Sequence, residues 1–241
     1  AKAQGFLEDP NKEDSDIKND PNGLFSLSIQ DDYKYYDETE TKIRANRLKE
    51  LSDDRMQYVV LDFEATCWKD NDDHEIIEWP MLLLDFKYKK IREEFFTFVK
   101  PKNNPVLSDF CKELTSITQE QVDGGISFEA ALSQALKWLE ETKKKYYYVR
   151  TTFLICGNWD LEKMLPMEMK NHNIEASKKM EVFTKWVNIK DLFKKRFPDA
   201  QKPSMPDMLA KLELPLVGRH HRGIDDCRNL AQIVFKLCDL N

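Results

Sequence analysis

The sequence predicts an α/β domain in which helices flank a mixed five-stranded sheet. Two observations carry this. From Tyr58 onward, three runs rich in β-branched and aromatic residues follow one another across short polar links, which favours antiparallel pairing. From Ser127 onward, amphipathic helical stretches alternate with two further apolar runs, and strands separated by helices normally lie parallel.

Taken in order, residues 1–22 are rich in Asp, Asn, Lys and Pro with few apolar anchors, the composition of a partly disordered arm. Leu24 to Ile29 reads as a short extended piece and Thr41 to Leu51 as a short helix. With no core of their own, residues 1–55 form an N-terminal extension to a domain over 56–241. Strand one is Tyr58 to Glu64, followed by a polar turn from Lys69 to Asp73. Strand two is Ile76 to Phe86, with Pro80 expected as a break or bulge because it has no N–H to donate. Strand three is Glu94 to Val99, and Pro101 ends it. Ser108 and Thr118 are placed to cap short helices through Leu114 and Val122, and Gly124-Gly125 breaks the second. Ser127 caps a long helix whose Phe128, Ala131, Leu132, Ala135, Leu136, Trp138 and Leu139 share one face. Thr152 to Cys156 is the fourth strand, and Leu161 to Asn171 a helix kinked at Pro166. Lys185 to Ile189 is the fifth strand and Asp191 to Phe197 a helix. Ser204 caps Met205 to Leu212, and a last helix runs from about Asp225 to Leu240 on Leu230, Ile233, Val234 and Leu237.

Composition bounds the function. No apolar run approaches a membrane span and the N-terminus is polar, so neither a membrane partner nor a secretory leader is expected, and an intracellular protein of cytoplasm or nucleus is. The five cysteines are scattered with no C-x-x-C pair, which argues against a zinc ribbon or disulfide framework and for free thiols. The net charge of −6 is concentrated in residues 1–55, with nine basic against fourteen acidic side chains. The remainder is nearly balanced and carries short basic runs at 143–145, 194–196 and around Arg219 and Arg222, so local phosphate contacts are not excluded.

The chemistry concentrates at the end of strand one. Asp62 and Glu64 are one residue apart, so in a strand they point the same way while Phe63 points the other. Two like charges there resist burial unless a cation lies between them, and hard divalent ions prefer oxygen donors. Asp160 follows the buried fourth strand, where α/β proteins bind ligands, although Asp also serves there as a helix cap. Asp225 and Asp226 open the last helix, and either can be its cap while the other faces the sheet. His220 and His221 precede them, with nothing in their chemistry to choose between the two. Four acids and a histidine brought to one sheet edge can hold two divalent ions and deprotonate water for phosphodiester hydrolysis.

These residues resemble the DEDDh exonucleases, the DnaQ-like group of the ribonuclease H-like fold. DFEAT holds Asp62 and Glu64, GNWD holds Asp160, and HRGIDD holds His221 and Asp226. HEIIEWP at 74–80, LSDFCKELTSITQEQV at 107–122 and KWVNI at 185–189 are similar to the branch containing the 3′ histone mRNA exonuclease and the enhanced-RNAi exonucleases. The resemblance implies a 3′→5′ exonuclease using two Mg²⁺ or Mn²⁺ ions on single-stranded 3′ ends of RNA, or of DNA, and releasing nucleoside 5′-monophosphates. A nucleic-acid-binding adaptor with little catalysis is the alternative from another class. By the same resemblance Asp62, Glu64 and Asp226 ligate the first ion, Asp62 reaches the second, and Asp160 acts largely through water. His221, rather than His220, matches the general base. Phe110 and Trp159 sandwich the terminal base, with Leu114 and the Thr115–Ser116 backbone at the last nucleotide and Phe63 among the substrate-binding residues. Members of the branch commonly have Gly where this chain has Ser116. Some carry a helical SAP nucleic-acid-binding domain, of which residues 1–55 show no counterpart.

Overall fold

Tyr58, Val59, Val60 and Leu61 are all buried, which requires a strand covered on both faces. The computed structural model describes residues 55–68 and 74–240. The extended piece at 24–29, the helix at 41–51 and the turn at 69–73 lie outside the described residues. Strand β1 is Met56–Leu61, β2 Glu64–Ala65, β3 Ile76–Asp85, β4 Lys90–Phe98, β5 Arg150–Ile155 and β6 Trp186–Asn188. β3 pairs antiparallel with β4 on one side and with β1 and β2 on the other, while β5 and β6 add in parallel beyond β1. The sheet is therefore mixed, as expected.

Among the described residues it holds six strands rather than five, because the first strand is interrupted at Asp62 and Phe63. The register Leu61↔Met81 carries on to Glu64↔Glu78, so β2 continues the line of β1 after a gap. The cause is a competing acceptor: the Phe63 N–H donates to Asp160 Oδ1 at 2.9 Å. Pro80 does not break β3 as expected. It pairs with Phe96 within the β3–β4 ladder, and the register shift falls at Leu83/Leu84 instead. In the continued register Pro80 lies across from Asp62, so its missing N–H coincides with the gap in the neighbouring ladder.

Helix α1 is Asp109–Thr115, α2 Gln119–Asp123 and α3 Phe128–Lys145. Ser108, Thr118 and Ser127 cap them as their types predict, with a capping box at Thr118. The helix expected from Leu161 divides into a π-helical turn, Asp160–Met164, and α4, Leu165–Asn171, with Pro166 in the first turn of α4. Lacking an N–H, Pro166 cannot continue an α ladder, and the wider turn before it accommodates that loss. A 3₁₀ segment at Lys178–Thr184, which the sequence pattern did not suggest, leads into β6. Then come α5 (Ile189–Arg196), α6 (Met205–Lys211) and α7 (Gly223–Asp239).

Strand alternation sorts the core. Val59, Leu61 and Phe63 join Trp79, Phe128 and Phe153 under α3 and α4. Tyr58 and Val60 join Leu154 and Val187 under α5, α6 and α7, with Leu230, Ile233, Val234 and Leu237 as the stripe of α7. By the same period Asp62 and Glu64 continue the second face, the one that α7 covers.

Candidate active site

The interruption of strand one, the start of α7 and the end of β5 meet at one place. An oxygen of each of Asp62, Glu64 and Asp226 lies within 4.8 Å of the others. Asp226 reaches this position through the close seating of α7. A Cβ on Gly223 would lie 2.7 Å from the Asp62 carbonyl oxygen and 3.1 Å from Pro80 Cγ, a space only glycine fits. The first turn of α7 has no side-chain cap of its own. Neither Asp225 nor Asp226 takes that role. Asp225 accepts from the Arg219 N–H at 3.0 Å and pairs with Arg228, while Asp226 turns into the site.

The cap comes from β3. Glu78, fully buried, accepts from the Gly223 N–H at 3.1 Å and pairs with Arg222 Nε at 3.1 Å. Burial raises its carboxyl above the usual range, with Arg222 and the helix N–H groups opposing. Sequence reasoning passed over Glu78 as a functional residue. Its signal was there: a lone acid in the otherwise apolar run IIEWPMLLL.

Asp160 is buried, as the fourth acid, and does not cap its helix through its side chain. It stands outside the three-carboxylate cluster yet contributes strongly to its field. The Asp62 carboxyl is pushed well up, first by burial and then by the charges of Asp160, Glu64, Asp226 and Glu78. Glu64 is raised by burial, then by Asp226 and Glu78. Burial brings Asp160 up to about 6, against the Phe63 N–H. Asp226 is raised by burial, with His220 opposing. Mutually repelling oxygens in low dielectric are what a divalent cation relieves, and an all-oxygen donor set suits a hard ion, so the residues present fit such a group.

The histidines sit on the rim. His220 and His221 stack at 3.9 Å, and His220 Nδ1 lies 3.1 Å from Asp226 Oδ2. The His221 backbone N–H donates to the same oxygen at 2.9 Å, with His221 in the left-handed region at φ 65°. That bond ties the His221 backbone to Asp226 and leaves its ring free of the role His220 fills. Burial, with the charge of His220, holds the His221 imidazole below its ordinary value.

Helix α1 docks beside the cluster. Ser108 Oγ donates to the Cys67 carbonyl at 2.6 Å, and Arg219 from the histidine loop donates to the Glu113 carbonyl at 2.5 Å. Cys111 Sγ meets the Ala65 carbonyl of β2 at 3.7 Å, and the same helix carries Phe110 and Leu114, both half-buried. Thr115 is buried, its hydroxyl bonded to Cys111 O and Ile117 N, so only its backbone can serve a ligand. Ser116 ends α1 at φ 59°, a conformation that glycine adopts without strain. Trp159 is 44% exposed and meets His74 edge-on at 5.7 Å, so it is not a core residue. The Phe63 side chain is buried edge-on against Trp79 at 5.0 Å, on the far face from the acids as the strand period predicts, and its backbone borders the site through the bond to Asp160.

Comparison with known proteins gives the family. The exonuclease family model (RNase_T) matches residues 59–234. ERI1 exoribonuclease 3 of Homo sapiens is 36% identical over 181 residues, covering 75% of this chain and 53% of that protein. The 3′-5′ exoribonuclease 1 of Homo sapiens is 35% identical over 195 residues, covering 78% and 54%. ERI1 exoribonuclease 2 of Xenopus laevis is 33% identical over 198 residues, covering 75% and 28%. The chain thus spans about half or less of the length of these curated relatives. Among solved structures, the nuclease domain of 3′hExo, described as a DEDDh family member bound to rAMP, superposes with a TM-score of 0.69 at 32% identity, covering 76% of this chain and 92% of that one. A 3′-exonuclease recognising the 3′ end of histone mRNA stem-loop superposes with a TM-score of 0.70 at 31% identity, covering 76% and 81%. A family match running from within β1 into the core stripe of α7, on a sheet that superposes on a DEDDh nuclease, means that this chain belongs to the exonuclease family.

Proposed function

We propose that the protein is a 3′→5′ exonuclease that hydrolyses phosphodiester bonds at single-stranded 3′ ends, of RNA before DNA. The observation that carries this is the meeting of Asp62, Glu64 and Asp226 oxygens within 4.8 Å beside His221. Asp62, Glu64 and Asp226 would hold divalent metal, with Asp160 assisting from the end of the neighbouring strand. Two ions, Mg²⁺ or Mn²⁺, when bound stabilise charge on the attacking and leaving oxygens of an in-line displacement. His221 accepts a proton from the attacking water, a role suited to an imidazole that stays neutral at physiological pH. The water attacks the terminal phosphorus, the bond to the 3′ oxygen of the penultimate nucleotide breaks, and a nucleoside 5′-monophosphate leaves.

The exposed face of Trp159 and the ring of Phe110 offer stacking platforms for the terminal base, worth roughly 1–3 kcal/mol per base and indifferent to sequence. Leu114 and the backbone at Thr115–Ser116 lie on the same helix end to receive the last sugar. The relatives named as exoribonucleases, and the histone mRNA stem-loop recognised by one structural neighbour, support RNA. Among the described residues no helix is long and apolar enough to cross a membrane, and the five cysteines are unbridged.

The test is digestion of 3′-labelled and 5′-labelled RNA and DNA strands with and without Mg²⁺ or Mn²⁺. Stepwise loss from the 3′ end that needs the ion, and that Asp62→Asn abolishes without unfolding the protein, is expected. Near-normal shortening by Asp62→Asn would refute the assignment. Ion-independent binding without shortening would favour an adaptor.

A further inference from the structure

A second cluster of ligating side chains lies away from the proposed catalytic acids and shares no residue with them. Glu75, just before β3, and Glu168 and His172, on and just after α4, bring one ligand atom each within 4.8 Å of one another. All three are shielded: Glu75 is fully buried, and the Glu168 and His172 side chains are 1% and 3% exposed. The Glu75 carboxylate accepts backbone N–H groups of Lys102 at 2.6 Å, Asn103 at 2.9 Å and Asn104 at 2.7 Å, which fixes it in place. Glu168 Oε2 is fixed by the Ile76 N–H at 3.2 Å.

The imidazole shows what the cluster lacks. His172 Nδ1 lies 2.7 Å from Glu129 Oε1 on α3. His172 Nε2, on the opposite side of the ring, is buried and makes no hydrogen bond. It stands 3.2 Å from Glu168 Oε1, close enough for charge attraction but outside hydrogen-bond geometry. Buried polar nitrogens are rarely left in that state. A proton donated from Nδ1 to Glu129 leaves the lone pair on Nε2, 3.2 Å from Glu168 Oε1. Carboxylate, histidine, then metal is the usual order around a ligating imidazole.

We infer that Glu75, Glu168 and His172 form a structural divalent-metal site. One imidazole nitrogen with two carboxylates selects Zn²⁺ over the all-oxygen preference of Mg²⁺. The ion would join the start of β3, α4 and the 102–104 loop, and through Glu129 would reach α3. It neutralises two carboxylates that the fold otherwise buries side by side.

The test uses the full chain carrying Asp62→Asn and Asp226→Asn, so that the catalytic cluster does not compete. After dialysis against Zn²⁺ and removal of excess, metal analysis should find one Zn²⁺ per chain, and thermal unfolding should move upward with Zn²⁺ but not with Mg²⁺. Adding His172→Gln should abolish retention. Adding Glu129→Gln, at a half-exposed position that threatens no core, should weaken Zn²⁺ by about 10–100-fold, the usual effect of losing the group behind a ligating histidine. A parent that retains no Zn²⁺, or a parent whose Zn²⁺ affinity neither substitution changes, would overturn the site and leave His172 as an ion-pair partner of Glu129 and Glu168.

Discussion

Gly223→Ala is the sharpest perturbation of the proposed active site, because it touches none of the ligating oxygens. The added methyl would lie 2.7 Å from the Asp62 carbonyl oxygen, 3.1 Å from Pro80 Cγ and 3.4 Å from Glu64 Cγ. Carbon–oxygen contacts settle at about 3.3–3.6 Å, so the start of α7 must back away by roughly 0.6–0.9 Å. The two nearest neighbours are a backbone and a ring atom of the sheet, which cannot yield as a flexible side-chain tip would. Overpacking of this kind costs about 1–3 kcal/mol, while alanine returns about 1 kcal/mol of helix propensity. The net change in stability is therefore small. The change in activity is not, because Asp226 rides on the displaced turn and a misplacement near 1 Å can cost about 100-fold in rate. The assay is single-turnover shortening of a 3′-labelled strand at saturating protein, beside a denaturant melt. We expect a rate 10- to 100-fold down with binding of the strand little changed and a midpoint within about 2 kcal/mol of the parent. A variant that cleaves at the parental rate would refute the claim that this contact sets the position of Asp226.

Ser116→Gly should stabilise the protein by about 1 kcal/mol in chemical denaturation, since Ser116 holds φ 59° where an L-residue pays that much or more; unchanged or lower stability would count against strain at this helix end. For His221, which acts only when neutral, the acidic limb of the rate profile should fall with a midpoint below the ordinary 6.5, because burial lowers its proton affinity; a midpoint above that value, or a flat profile, would remove it as the base. Metal-free protein should lose stability as pH rises through about 6, because Asp160 takes its proton more readily folded than unfolded, so its contribution is complete below the ordinary 3.8 and is lost across the interval between. Melting temperatures of the parent compared with Asp160→Asn across that interval would show it, and a gap that does not change with pH would contradict it.

The sheet and its helices were legible because their signals are local. Ser108, Thr118, Ser127 and Ser204 cap helices as their residue types predict, and the stripe of α7 is a plain 3.6-residue period. Asp62, Glu64 and Asp160 stand out because charge at the end of an apolar strand is costly and therefore conspicuous, whereas Asp226 is told from Asp225 only by the family resemblance. What escaped depends on contacts across the fold. The interruption of strand one is caused by Asp160, 97 positions away from the N–H it captures. Glu78 caps a helix 145 positions downstream, a pairing no window of sequence contains. Pro80 was rightly noticed and wrongly interpreted: a missing donor marks a break in this strand only if its neighbour is intact there, and here the neighbour is not. The strand period sends the Phe63 ring to the layer opposite the acids, and the ring is buried there against Trp79.

The pocket between strand and helix owes its shape to two chemically silent positions. Pro80 asks nothing of the sheet at the level of Asp62, and Gly223 brings no atoms of its own into the same slot. Transplanting the acids alone onto another α/β scaffold would therefore reproduce the charges without the room they occupy. A designer would have to carry across the vacancy as well, one residue defined by a hydrogen it does not have and another by a carbon it does not have.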